Sequence, residues 1–214
     1  MKIELENVLP EEIEKRSFEI IEQELGGRVL EREKAPIIKR VIHTSADFEY
    51  ADSLMFSVNV VEEALSAIRR GAYIITDTEM GKAGINKKAL AKYGGEVLCF
   101  MADEEVAKIA KTRGSTRATA SIDKAALLEK ELIFAIGNAP TALVRLYELI
   151  TENRIQPALV IGVPVGFVNV VQSKELIMNT EVPYIVARGR KGGSNVAAAI
   201  CNALLYMLDE SRGA

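Results

Sequence analysis

The stretch "ELIFAIGNAPTALVRLYELI", residues 131–150, decides the fold. Its first part, "ELIFAIG" (131–137), is a short and nearly unbroken apolar run that reads as a strand. "GNAPT" (137–141) reads as a loop, and "PTALVRLYELI" as a helix opened by its proline. A strand that is apolar throughout is buried on both faces, the condition of a parallel sheet flanked by helices.

The same unit repeats on either side. "AYIIT" (72–76), "EVLCFM" (96–101), "ALVIGV" (158–163) and "PYIVAR" (183–188) read as four more strands. Helical stretches separate them: "NKKALAKYG", "EEVAKIAKT" with "RATASIDKAALLEK", and "SKELIMNT". A last helix, "SNVAAAICNALLYML" (194–208), follows. Right-handed crossovers divide such helices between the two faces. The expected fold class is α/β: a three-layer, doubly wound sheet of five parallel strands. Residues 1–70 read as a helical N-terminal part and 71–214 as the α/β core, together one domain over 1–214.

Composition narrows the function. The formal charge is −3, from 27 Lys and Arg against 30 Asp and Glu, so no global basic field attracts nucleic acid or an anionic membrane. The N-terminal "MKIELENVLPEEIEK" is acidic and has no apolar signal core. No apolar run approaches the ~20 residues needed to cross a bilayer. A cytoplasmic protein is expected. Cys99 and Cys201 lie in apolar runs and read as buried thiols, outside any disulfide framework. With one histidine, a His/Cys metal site is not expected. An all-carboxylate magnesium site stays open.

Ligands of a doubly wound sheet bind outside the carboxyl ends of the strands. The loops there are "DTEMGKAGI" (77–85), "GNAPT", "GVPVGFVN" (162–169) and "RGRKGGSN" (188–195). In the last, Arg188, Arg190 and Lys191 precede Gly192 and Gly193, where backbone can approach a ligand closely. Neither a Walker A loop nor GxGxxG is present, which speaks against a nucleotide enzyme. "KTRGSTRATA" (111–120) places Arg117 just inside a helix, as a carboxylate clamp or as a solvated neighbour of an N-cap.

Upstream, "PEEIEKRSFEIIEQELGG" reads as a helix with Ile13, Ser17, Ile21 and Leu25 on one face. Ser17 there either bonds back to a carbonyl one turn earlier or faces a pocket. "APIIKRVIHTSADF" reads as a second helix, with Arg40 and His43 three apart on one face. Histidine exchanges a proton most readily near neutral pH, so His43 is the natural acid–base candidate. A lone histidine is more often structural or exposed. Read from residues alone, the chain is an α/β protein with a wide, Gly-rich, locally basic cleft.

Taken together, "RSFEII" (16–21), "RVIHTSADF" (40–48), "DTEMGKAGI", "GSTR" (114–117), "IGNAPTAL" (136–143), "GVPVGFVN" and "GRKGGSNVAAAICNAL" (189–204) resemble the precorrin-8X methylmutase family of cobalamin biosynthesis. The resemblance covers nearly the whole chain. It implies a flavodoxin-like sheet, and an isomerase that moves a methyl group from C-11 to C-12 of a corrin-ring precursor. The substrate is precorrin-8X or its cobalt form, and the product hydrogenobyrinate or cobyrinate. No redox cofactor and no protein-bound metal is implied. The family is a homodimer with its cleft near the subunit interface. By this resemblance His43 gives and takes the proton, Ser17 and Arg40 bind substrate, and Arg117 adds a carboxylate contact. The Gly192–Gly193 backbone joins them, and Met80, Val165 and Phe167 are candidates for apolar walls. A non-catalytic tetrapyrrole carrier on the same scaffold is the alternative reading.

Overall fold

The computed structural model describes residues 5–209. Residues 1–4 of the acidic N-terminal stretch, and 210–214 of the expected 1–214 domain, lie outside the described residues. The strands are β1 (Leu54–Phe56), β2 (Tyr73–Thr76), β3 (Val97–Leu98), β4 (Leu132–Ile136), β5 (Leu159–Gly162) and β6 (Tyr184–Ala187). They form one sheet in the order β1-β6-β5-β4-β2-β3. From β2 onward every pairing is parallel, and those strands follow the flavodoxin-like order.

One strand was not expected. β1 lies in the part read as helical and pairs antiparallel with β6, Leu54 opposite Ala187. Three residues are too few to show a period, so only the partner reveals the strand. It covers the edge that β6 would otherwise leave open. Ser53 and Ser57 extend the pairing: Arg188 N–H donates to Ser53 O at 2.8 Å, and Tyr184 N–H to Ser57 Oγ at 2.9 Å. β3 is shorter than the 96–101 run suggested.

Side chains of a strand alternate between faces, and the core divides accordingly. Ile133 and Ala135 of β4 pack with Leu159 and Ile161 of β5 against α2 (Ala35–Ser45), α4 (Val60–Arg69) and α11 (Ser194–Met207). Leu132, Phe134, Ile136 and Val160 pack on the other face against α8 (Arg117–Ala125), α9 (Pro140–Thr151) and α10 (Val170–Met178). Three layers result.

α2 carries Pro36 in its first turn and buries Ile37, Ile38, Val41 and Ile42. It stops at Ala46, which turns left-handed at φ 53° and donates its N–H to Ile42 O at 2.7 Å. His43 falls off the buried stripe and is exposed. α1 (Ile13–Glu24) seats Ile21, and Leu25 behind it, in the core, while Ile13 is left 53% exposed. Of the cysteines only Cys201 is fully buried, which pushes its thiol up to about 12; Cys99 is half-buried.

α11 comes close to the sheet because its inner residues are small, Ala197, Ala198 and Ala199 among them. The tightest approach is at Gly137, where a Cβ would stand 2.6 Å from Ser194 Cα. Gly137→Ala is expected to push the start of α11 outward and cost about 1–3 kcal/mol, read from urea unfolding of the two chains.

Candidate functional site

In a sheet of this order, β2 and β4 flank the switch point where a ligand usually enters. Here protein closes it. Asp77 directly follows β2 and is buried. Its Oδ1 accepts the N–H of Gly137 at 2.9 Å, and its Oδ2 those of Asn138 at 2.8 Å and Ala139 at 2.6 Å. Burial pushes this carboxyl above the ordinary range, and the N–H groups draw it back only in part. Thr78 Oγ1 caps α5 (Glu79–Gly84) by accepting the Gly81 N–H at 3.0 Å, and it lies 2.7 Å from Ser194 Oγ. The loop after β2, the loop after β4 and the start of α11 are thus one unit.

The rim continues over β5 and β6. Gly193 N–H donates to Val163 O at 2.9 Å, and Gly166 N–H to Arg190 O at 3.1 Å. Gly192 has φ +155°, and a Cβ there would stand 2.0 Å from Val163 O, so only glycine fits. Beneath this loop lies Lys174 of α10, with no exposed surface. Its Nζ donates to Gly189 O and Lys191 O, each at 2.8 Å. Burial alone pushes its ammonium down to about 8.

Lys191 reaches the other way. Its Nζ pairs with Asp47 and Glu49 at 2.6 Å each, joining the Gly-rich loop to the chain just beyond α2. These bonds raise the Lys191 ammonium and lower the Asp47 carboxyl. One turn earlier the His43 imidazole stacks on Phe18, with ring centroids 5.3 Å apart and planes at 22°. The Arg40 guanidinium sits 4.8 Å from the Phe18 ring and 5.1 Å from that of Tyr206, and it bonds to Glu14. Ser17 Oγ donates to Ile13 O at 2.9 Å, the plainer of its two readings, leaving its oxygen free to accept.

His43, Arg40, Ser17, Gly192 and Gly193 therefore share the α1–α2–α11 side of the molecule. Arg117 does not. It opens α8 in the opposite layer, exposed, beside an open depression of about 520 Å³ that Glu104, Lys108, Lys111 and Ser115 also line. Its neighbour Thr116 caps the helix by accepting the Thr119 N–H at 3.1 Å, and meets Thr141 Oγ1 of α9 at 2.9 Å. Met80, Val165 and Phe167 are exposed along the rim, with Arg190 over the Phe167 ring at 5.4 Å. Among the described residues no group of three or more His, Cys, Asp or Glu converges as metal ligands, and no helix is long and apolar enough to cross a membrane.

Sequence reasoning missed Asp77 and Lys174. Asp77 was visible only as one residue of a polar loop. Lys174 left a signal: Val170, Ser173, Lys174 and Ile177 follow helical spacing, and all are buried.

Fold and rim define a doubly wound α/β protein whose strand ends carry a Gly-rich rim with Arg188, Arg190 and Lys191. A family model described as precorrin-8X methylmutase matches residues 12–207. The cobalt-precorrin-8 methylmutase of Salmonella typhimurium is 47% identical over 208 residues, covering 94% of this chain and 97% of its own length. That of Priestia megaterium is 45% identical over 202 residues, covering 94% and 90%. The solved precorrin-8X methylmutase of Thermus thermophilus superposes with a TM-score of 0.84 at 41% identity, covering 94% and 98%. The chain belongs to the precorrin-8X methylmutase family. It is an isomerase that relocates a methyl group.

Asp77→Asn places an amide donor against backbone N–H groups. It is expected to cost about 1–3 kcal/mol in urea unfolding and to speed amide exchange at 137–139. For Lys174, the unfolded chain keeps the proton up to 10.5, whereas the folded chain releases it near about 8. Between these values the unfolded state binds more protons, so Lys174 makes stability rise with pH, and below about 8 the burial penalty is present in full. The unfolding free energy of the native chain minus that of Lys174→Met should climb across this window.

Proposed function

We propose that the chain moves a methyl group from C-11 to C-12 of precorrin-8X or cobalt-precorrin-8, with His43 giving and taking the proton. The observation that carries this is one corner of the molecule. The exposed His43 imidazole stacks on Phe18, beside Arg40, while Asp47 ties the same helix end to the Lys191–Gly193 loop. The names of the relatives support cobalt-precorrin-8 as the first substrate to try.

The chemistry needs little. A proton from His43 to the conjugated macrocycle redistributes its π-electrons and promotes a suprafacial 1,5-shift. The bond from the methyl carbon to C-11 breaks as that to C-12 forms, and the proton returns to the imidazole. No electrons leave the substrate, so no redox partner is consumed. A group that exchanges its proton near neutrality suits this step.

The acetate and propionate arms of the substrate need scattered donors rather than one cradle. Arg40 and the Gly192 N–H are placed for such contacts on the His43 side; Ser17 joins them by turning its hydroxyl from Ile13 O to the substrate, and Gly193, whose N–H is held by Val163 O, contributes by shaping the loop. Arg117 lies in the other layer, and Met80, Val165 and Phe167 are exposed. The exposed apolar residues support a homodimer, working in the cytoplasm, whose cleft lies near the interface, where a second copy completes the apolar walls.

The visible spectrum of purified substrate mixed with the protein tests the reading. Conversion to the corrin product is expected for the native chain, and His43→Ala is expected to slow it by about a hundredfold or more while still binding substrate. Equal rates for both chains would remove His43 from the proton transfer. Binding without conversion by the native chain, with metal-free and cobalt substrate alike, would leave a carrier.

A further inference from the structure

Lys174 is a poor choice for stability alone. Its ammonium has no exposed surface, and burial lowers its proton affinity with no charge partner to offset the loss. The neighbouring Glu175 instead faces Arg188, at 3.8 Å. A methionine of similar length would fill the space without a desolvation penalty. What the lysine alone supplies is donors. Nζ binds Gly189 O and Lys191 O at 2.8 Å each, and Gly166 N–H binds the intervening Arg190 O at 3.1 Å. The Gly189 and Lys191 carbonyls, two residues apart, are thereby turned toward Lys174.

A trans peptide is planar, so each N–H points opposite to the carbonyl of the residue before it. With the carbonyls of Gly189 and Lys191 facing Lys174, the N–H groups of Arg190 and Gly192 point away from it. Two nearby backbone N–H groups pointing one way can together receive an anion.

We propose that Lys174 is a positioning residue: from beneath, it orients the 189–190 and 191–192 peptides so that the N–H groups of Arg190 and Gly192 receive a carboxylate arm of the tetrapyrrole. This rests on the methylmutase reading above for the nature of the ligand. The orienting role itself does not.

The test uses the full-length chain with Lys174→Met, which keeps the length and removes the donors, and Lys174→Gln, which restores an N–H donor on a shorter side chain. Native-state trypsin, with cleavage sites mapped by mass, reads the loop at Arg188, Arg190 and Lys191. Spectroscopic titration and steady-state rates with cobalt-precorrin-8 read the substrate. For Lys174→Met, cleavage in the loop is expected to accelerate about tenfold or more, as for a segment that loses two charge-assisted bonds. The Kd and KM are expected to rise about tenfold with a smaller change in kcat, as for the loss of a binding contact rather than of a proton-transfer group. Lys174→Gln should fall between the two chains, and it carries the test alone if the methionine variant does not fold. Unchanged cleavage in both variants overturns the orienting role. A loosened loop with unchanged Kd and KM overturns the carboxylate contact. A native chain that neither binds nor converts the tetrapyrrole fails the methylmutase reading and with it the ligand assignment, and the tryptic rates still decide whether Lys174 holds the loop.

Discussion

One buried carboxylate organises the rim. Asp77 gathers the N–H groups of Gly137, Asn138 and Ala139, and so turns the chain sharply at the end of β4. That turn sets Gly137, which has no side chain, directly under Ser194. α11 can then start low on the sheet and run across it. α2 lies along α11 in the opposite direction: Arg40 meets Tyr206 near the end of α11, and Asp47 meets Lys191 just before its start. The position of His43 follows from that alignment. A fault at Asp77 would reach the histidine through packed helices rather than through any direct contact.

Asp77 and Lys174 obey the same logic with opposite signs. The carboxylate collects backbone donors, and the ammonium collects backbone acceptors. Both are pushed toward their neutral forms by burial, so both subtract from stability at neutral pH. In return, two loops without regular structure are fixed from the inside.

Much of this was legible in the chain. The strands at 72–76, 131–137, 158–163 and 183–188 were visible because burial on both faces demands continuous apolar runs. α2 was visible through Pro36 and its stripe. The segment 54–56 was not, because a strand of that length is defined by its partner. Ser17 was left between two readings, and the bond to Ile13 O is local enough that either fits the same sequence. Arg40 stood out as a charge near His43, but its rings belong to α1 and α11, distant in sequence. Asp77 looked like one more polar loop residue, since its partners lie some sixty positions away.

The sequence by itself determined the α/β class, the helices that carry Ser17, Arg40 and His43, the Gly-rich loops, and the family. These depend on periodicity, on turn chemistry and on motifs, which are local properties of the chain. Tertiary structure alone decided which loops meet, which face of the sheet each candidate occupies, and which charges lie buried under the rim. Those outcomes depend on strand order and crossover, and on hydrogen bonds between segments far apart in the chain. No local pattern records the desolvation of Asp77 and Lys174, because it arises only when the layers close over them.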